Sequence, residues 1–360
     1  MKNMGDNMSD EIENFHVESA RVLVFGAGGA GCNTISRLTD MQIQGATTVA
    51  ANTDARHLVS TKAHKKVLIG KQLTRGLGAG GYPDVGRKAA EESKNEIRDI
   101  IKNCDLMFLT CGLGGGTGTG SAPVVAYMAK EVGAIVIAAV TLPFKIEGAR
   151  LLKAEEGLQK LKEVCDTVIV IENQKLIELA GNKALKDAFG VADNLIAMMI
   201  KGITEMISVP SLVNLDYADV RTIMRAGGVA TIGVGESTQS NSSRAKEAIE
   251  KALDHPLLDV DYHGATGALI QVIGGNDMKL EEINEIGESV AQHMDSSATV
   301  MWGARIVPEF EGKIQVITVI TGVKSPYIIG KGQQTQKASS QSSSGHSKTK
   351  TNDLGIEVLI

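Results

Sequence analysis

Aromatic residues are scarce in this chain, at 3% of its 360 residues, so stacking platforms for single-stranded nucleic acid are not expected. Charge of neither sign dominates. The formal net charge of −5 supplies no large positive field to recruit nucleic-acid phosphates or a bare anionic membrane. Cysteine is limited to Cys32, Cys104, Cys111 and Cys165. No two have CxxC spacing and no histidine pair completes a zinc set, so they read as small buried hydrophobes in a reducing cytoplasm. The first twenty residues lack the basic start and apolar run of a signal peptide. No apolar stretch is long enough to be a convincing transmembrane helix. These absences point to a cytoplasmic protein that neither binds nucleic acid nor inserts into a membrane, and they name no residue set for a metal.

What is present is length, apolar content and glycine. At 360 residues and 43% hydrophobic, the chain is long enough for two packed domains plus tails. Its 40 glycines cluster in loops, as expected where backbone must approach a ligand closely. Residues 1–20 read as a flexible N-terminal tail. From Arg21 onward, short β-rich runs alternate with helix-like stretches: 21–25, 47–51, 104–111, 134–140 and 167–171. Such alternation predicts an α/β fold, a Rossmann-like parallel sheet with helices on both faces, over residues 21–184. From Leu185 to Ser208 apolar residues recur at three-and-four spacing, from Leu185 through Leu195 and Ile203 to Ile207, and Pro210 follows. This predicts one long helix as a spine, with a loop to residue 216. A second, smaller α/β domain is expected over 217–324, with strands near 229–234, 268–273, 299–306 and 314–320 and helices near 244–254 and 280–293. Residues 325–352 read as a disordered linker rich in Ser, Gln, Thr and Lys. The chain ends in an apolar-acidic peptide, Asp353–Ile360, either a docking segment on a tether or a frayed end.

Four loops carry chemistry. Gly26-Ala27-Gly28-Gly29-Ala30-Gly31 follows the first strand and opens a helix, where glycines let backbone N–H groups approach a phosphate. Alone it equally fits a dinucleotide fingerprint for NAD or FAD, with Asp54 as the ribose acid. The second loop decides. Gly114-Gly115-Gly116-Thr117-Gly118-Thr119-Gly120 follows a strand and precedes a helix expected to start near Ala122. Five glycines in seven positions make a concave array of backbone donors for a di- or triphosphate, with Thr117 and Thr119 adding hydroxyls. A dinucleotide enzyme needs no second cradle of this kind. Gly76–Pro83, with Gly78, Ala79 and Gly80, provides backbone over the terminal phosphate. Asn52, Thr53 and Asp54 follow the second strand, where polar groups meet the γ-phosphate or its magnesium. No G-x-x-x-x-G-K-[ST] motif occurs, so this is not a P-loop protein.

Gly-Gly-Gly-Thr-Gly-Thr-Gly at 114–120 resembles the tubulin signature, and its surroundings resemble FtsZ, the prokaryotic cell-division homologue of tubulin. Supporting segments are Asn-Thr-Asp-Ala at 52–55, Gly-Ala-Gly-Gly at 78–81, Val-Thr-Leu-Pro-Phe at 140–144, Asp-Ala-Phe-Gly at 187–190 and Asn-Leu-Asp-Tyr-Ala-Asp at 214–219. The resemblance implies a GTPase that binds GTP or GDP, with Mg²⁺ held mainly through the phosphates. It implies that Asn33, Asn173, Phe189 and Asp193 surround the guanine, a carboxylate at Asp193 accepting from N1–H and the 2-amino group. Phe189 stacks on the base in that reading, or packs in the core. Glu147 and Arg150 match the family's ribose- and phosphate-side pair. Asp216 and Asp219, which by themselves read as helix caps, become with Asn214 the catalytic groups that a neighbouring subunit inserts into the nucleotide site. That implies a head-to-tail homopolymer, a division filament at the inner face of the membrane at mid-cell, and a membrane adaptor or division protein on Asp353–Ile360. The alternative is a slowly hydrolysing scaffold for cell shape. Cys32 stands where the family often has Gly or Asn and offers a thiol near the base. The terminal peptide lacks the Pro-and-Arg ending common in bacterial members, which hints at an archaeal type.

Overall fold

The computed structural model describes residues 20–177, 182, 184–209, 211–213, 215–226, 230–238, 244–254, 262 and 264–323, with backbone alone at Leu185, Lys186, Phe189 and Ala226. The N-terminal tail, Pro210, Asn214, the linker and the terminal peptide lie outside those residues, as does the side chain of Phe189.

The first domain is built on six parallel strands: β1 (Val22–Ala27), β2 (Ala46–Asn52), β3 (Lys65–Leu68), β4 (Leu106–Gly112), β5 (Ile135–Leu142) and β6 (Thr167–Glu172). They lie in the order β3-β2-β1-β4-β5-β6. Every residue of β1 and of β5 is buried, as expected for strands covered by helices on both faces. Register brings the strand ends level: Ala27 stands opposite Ala51 and Cys111. All the loops that leave the C-terminal ends of β1, β2, β4 and β5 therefore meet on one rim, where parallel α/β sheets bind ligands. The covering helices are α1 (Gly28–Asp40), α2 (Ala55–Ser60), α3 (Lys71–Thr74), α4 (Pro83–Glu92), α5 (Lys94–Ile101), α6 (Thr117–Glu131) and α7 (Ala149–Val164).

One boundary departs from the sequence-based expectation. Helix α6 begins at Thr117, not near Ala122, so Thr117–Gly120 form its first turn. Glycine and threonine are poor helix formers, but close packing decides here. A Cβ on Gly120 would lie 1.9 Å from the Pro83 carbonyl oxygen of α4. Two helices can approach that closely only where one has no side chain.

The long helix α8 (Leu185–Ser208) is present with the expected bounds. Its stripe of Ala192, Leu195, Ile196, Met199, Ile200, Ile203 and Met206 is buried. That stripe belongs to one hydrophobic cluster that reaches from Val24 and Ile137 of the first sheet to Leu269, Ile317 and Val319 of the second. Beyond it come α9 (Tyr217–Ala226), β7 (Ala230–Ser237), α10 (Arg244–Leu253), β8 (Ala265–Gly274), α11 (Leu280–Ala291), β9 (Met294–Ile306) and β10 (Ile314–Thr321). The second sheet has the order β7-β10-β8-β9, with β10 antiparallel to both neighbours and β8 parallel to β9. Buried Arg244 ties its helices together through Asp277 and Glu282, both at 2.5 Å. A polar chain also crosses the domains: Arg305 of β9 pairs with Glu205 of α8 at 2.8 Å, Lys201 joins the same carboxylate, and its ammonium donates to the Met41 carbonyl.

Candidate nucleotide site

The rim formed by the strand ends opens into a cavity of about 1030 Å³. Of the residues expected to bind nucleotide, Gly29, Ala30, Asn33, Asn52, Asp54, Gly78, Thr117, Arg150, Asn173 and Asp193 line it. Elements from seven places in the sequence thus converge on one volume, large enough for a nucleotide.

Two glycine segments touch each other at its floor. Gly28 has φ +72°, and a Cβ there would lie 2.8 Å from the Gly118 amide nitrogen. The first turns of α1 and α6 are thereby held together, so two helix N-termini with free N–H groups share one anion-binding corner. Gly31 serves packing instead, since a Cβ on it would come 2.4 Å from the Thr110 carbonyl oxygen of β4. Thr117 and Thr53 join their hydroxyls at 2.6 Å, which links the second glycine loop to the loop after β2. Thr119 does not line the cavity. It is buried in α6 with its methyl group against α7, at the place where Gly157 leaves room for it. Gly28, Gly31, Thr53, Ala79, Gly80, Gly114, Gly115, Gly116, Gly118, Gly120 and Glu147 belong to the surrounding loops and first helical turns without being part of the cavity lining. Glu147 accepts from the Phe144 amide at 2.9 Å and holds Arg150 at 2.5 Å, so it positions an arginine that does line the cavity.

Asp54 caps α2: its Oδ1 accepts from the backbone N–H groups of Arg56 at 2.9 Å and His57 at 3.1 Å. At the opposite end of the cavity Asp193 projects from α8, together with Gly190 and Ala192. Burial pushes the Asp193 carboxyl up from 3.8 to about 6, opposed in part by a 3.3 Å hydrogen bond from the Thr34 hydroxyl. The energetic demand is for a ligand that donates to this carboxylate and so replaces the water it has lost.

Several lining residues were not singled out from the sequence: Ser36, Arg37, Asp40 and His57, while Thr141 and Gly190 appeared only as members of quoted segments with no role assigned. His57 is the most connected of them. Its Nδ1 lies 3.1 Å from Asn52 Nδ2 and its Nε2 lies 3.2 Å from Asn33 Oδ1. A histidine at helix position three after an Asp cap was the available signal, but it reads as an ordinary surface residue. Cys32 corrects an expectation. It is wholly buried behind Asn52, and burial pushes its thiol up to about 11, so it is no reactive group beside the base.

The acid pair sits elsewhere. Asp216 and Asp219 open α9 as a reciprocal cap: the Asp219 amide donates to Asp216 Oδ1 at 2.8 Å, and the Asp216 amide donates to Asp219 Oδ2 at 3.1 Å. Tyr217 anchors this turn to the first domain through a 2.8 Å hydrogen bond to the Asp105 carbonyl. Ser208 lies fifteen helical steps beyond Asp193 in α8, a rise of about 22 Å, so these acids lie at the far end of the spine from the cavity.

Comparison with known proteins accords with this geometry. Residues 21–181 match the model of the Tubulin/FtsZ family GTPase domain, and residues 228–324 match that of the FtsZ family C-terminal domain. The chain is 56% identical over 337 residues to the protein named cell division protein FtsZ 2 of Methanocaldococcus jannaschii, covering 93% of this chain and 89% of that one. It is 53% identical over 316 residues to cell division protein FtsZ 1 of Thermococcus kodakarensis, covering 88% and 84%. Among solved structures, an empty FtsZ dimer from M. jannaschii superposes with a TM-score of 0.82 at 49% identity, covering 91% of this chain and 98% of that one. A CetZ2 protofilament from Haloferax volcanii, at 21% identity and TM-score 0.72, shares the fold. With both family models matched and these relatives aligned along most of its length, the chain belongs to the Tubulin/FtsZ family and carries that family's GTPase domain.

Proposed function

We propose that this protein binds GTP in the cavity at the rim of the first sheet and hydrolyses it only when a second copy supplies Asp216 and Asp219. The observation that carries this reading is the separation of the two halves along α8, about 22 Å of helix between Asp193 and the end of the spine. One subunit presents the cavity on one face and the acids on the opposite face. Such a contact is heterologous and does not close on itself, so repetition generates a filament. The names of the curated relatives support a role in cell division.

The chemistry is mainly positioning. Backbone N–H groups at the starts of α1 and α6 hold the phosphates, with Arg150 beside them. Asp193 accepts from the guanine N1–H and 2-amino group, and Asn33 and Asn173 complete the nucleoside wall. In the capping pair each incoming carboxylate commits one oxygen to a backbone amide. The remaining oxygens orient and polarise a water for attack on the γ-phosphate, with Asn214 assisting. GDP and phosphate remain, and the contact weakens.

Magnesium fits this site as a companion of the phosphates rather than as a resident of a protein cage. No group of three or more His, Cys, Asp or Glu side chains is poised to hold a metal among the described residues. Magnesium ordinarily takes one or two carboxylates and substrate oxygens, keeping the rest of its shell as water. Asp54, with Asn52, is the carboxylate in the cavity wall that would serve, and the ion would neutralise charge on the β- and γ-phosphates. Among the described residues no helix is long and apolar enough to cross a membrane. The terminal peptide Asp353–Ile360 is proposed as the docking segment for an adaptor that brings filaments to the inner membrane face at mid-cell.

The test is mixing. Asp216→Ala should bind GTP normally and lose turnover at least about a hundredfold, while Asp193→Ala should fail to bind. Combined, the two variants restore turnover, because an intact cavity on one meets intact acids on the other. Persistent silence of the mixture, with both variants folded and able to co-sediment, refutes a shared site. Turnover per subunit that stays constant on dilution refutes it equally.

A further inference from the structure

The hydrogen bonds around His57 have one self-consistent direction. The backbone N–H of Asp54 can only donate, and it donates to Asn52 Oδ1 at 3.2 Å. This fixes the Asn52 amide, whose Nδ2 then faces His57 Nδ1 at 3.1 Å and Cys32 Sγ at 3.9 Å. An amide nitrogen has no lone pair to offer, so Nδ1 accepts and the ring proton resides on Nε2. Nε2–H donates to Asn33 Oδ1 at 3.2 Å. With its oxygen turned to His57 in this way, Asn33 directs its N–H groups away from the ring and toward a ligand.

We infer that His57 is a positioning residue for nucleotide selection: it fixes the Asn33 amide as a hydrogen-bond donor toward an acceptor atom of the nucleoside. Asp193 across the cavity can only accept once ionised, so the two sides of the nucleoside wall carry complementary demands. A purine with acceptors and a donor pair, as guanine has, meets both. The inference rests on the proposed placement of the nucleoside between Asn33 and Asp193.

The ring is not needed for the local fold. Helix α2 is capped through the backbone N–H of His57, not through its side chain, and the ring is half-buried beside Gly29. Removing it should leave α2 in place while releasing Asn33 to rotate.

The experiment is displacement of a fluorescent GDP analogue from dilute full-length protein, by GDP and separately by inorganic pyrophosphate. His57→Leu should weaken GDP about fivefold to tenfold, the loss of one net hydrogen bond. It should leave competition by pyrophosphate unchanged, while the unfolding midpoint falls modestly because buried Asn52 loses an acceptor. His57→Gln should restore GDP affinity to within about twofold, because one amide can accept from Asn52 and donate to Asn33. Asn33→Ala should weaken GDP to a similar degree, and the double variant His57→Leu with Asn33→Ala no further. If Asn33→Ala weakens GDP and His57→Leu does not, the relay is refuted while the nucleoside placement stands. Equal losses for GDP and pyrophosphate make the ring merely structural and refute the inference. If Asn33→Ala has no effect, the nucleoside placement itself fails, and the inference with it.

Discussion

Lowering the pH should weaken guanine nucleotide binding through Asp193, and the size of the effect follows from its surroundings. In the unliganded protein burial pushes this carboxyl from 3.8 to about 6. Its folded-state value is raised, so its contribution to stability is present below about 3.8 and is lost as pH rises through about 6. At neutral pH the empty site therefore holds a destabilised carboxylate, a penalty on the order of 3 kcal/mol. Two donors on the guanine edge relieve that penalty only when the group is ionised. A proton acquired below pH 6 must leave before binding. Between pH 7.5 and pH 5 the dissociation constant for GDP should rise by about tenfold from this group alone.

The terminal phosphate of the nucleotide also titrates, with a second pKa near about 6, so the wild-type profile by itself is ambiguous. Asp193→Asn separates the two. The amide has no charge to lose, and its profile should keep only the phosphate's slope. At pH 7.5 the variant should bind GDP roughly thirtyfold or more weakly, the loss of charge-assisted hydrogen bonds worth about 2 kcal/mol. Without nucleotide it should be more stable than the wild type at that pH, because the buried charge is gone. The assay is displacement of a fluorescent GDP analogue from pH 5 to 8, paired with urea unfolding of the unliganded proteins. Identical pH slopes for wild type and Asp193→Asn would refute the argument, since Asp193 would then not meet the base.

Gly120→Ala should destabilise the first domain by about 3 kcal/mol, because its methyl group would meet the Pro83 carbonyl oxygen at 1.9 Å; Gly115→Ala, with open space around it, should shift urea unfolding by about 0.5 kcal/mol or less. The four cysteines should resist a thiol reagent at pH 8 in the native protein and all react in urea, since burial pushes Cys32 to about 11, Cys104 and Cys111 to about 12, and Cys165 up as well. Arg244→Ala should lower stability by about 3 to 5 kcal/mol in urea unfolding by leaving Asp277 and Glu282 without their buried partner, with GDP affinity unchanged because the cluster belongs to the second domain.

The sheet, the spine and the glycine-loop side of the cavity could be read from residue patterns because each leaves a local trace, whereas Asn33, Arg150, Asn173 and Asp193 came only through the family resemblance. Fully buried strands such as β5 are continuous apolar runs, and α8 shows its stripe at three-and-four spacing. What escaped was set by contacts between distant segments. The start of α6 at Thr117 depends on Gly120 meeting Pro83, and no window of sequence around 117 contains that information. The short strand β3 was not foreseen, since Lys65–Leu68 offers four residues and exposed lysines. His57 was missed because its role rests on amides at positions 33 and 52, one carried by helix α1 and the other by the end of strand β2.

The same contrast bears on why the chain holds so many glycines. A reading from sequence assigns the run at 114–120 wholly to phosphate, as a loop of backbone donors. In the fold the run divides. Gly118 and Gly120 lie in α6 and let it close on β4 and α4, and Gly31 does the same for α1 against β4. Removing side chains at the packing positions is what brings the first turns of α1 and α6 to one corner, and that convergence creates the donor array. On the proposed reading, anion binding here is a consequence of how closely two helices can be driven against one sheet. Substitutions at the packing glycines should therefore abolish nucleotide binding through the fold, whereas Gly115, with nothing near it, can affect only the ligand.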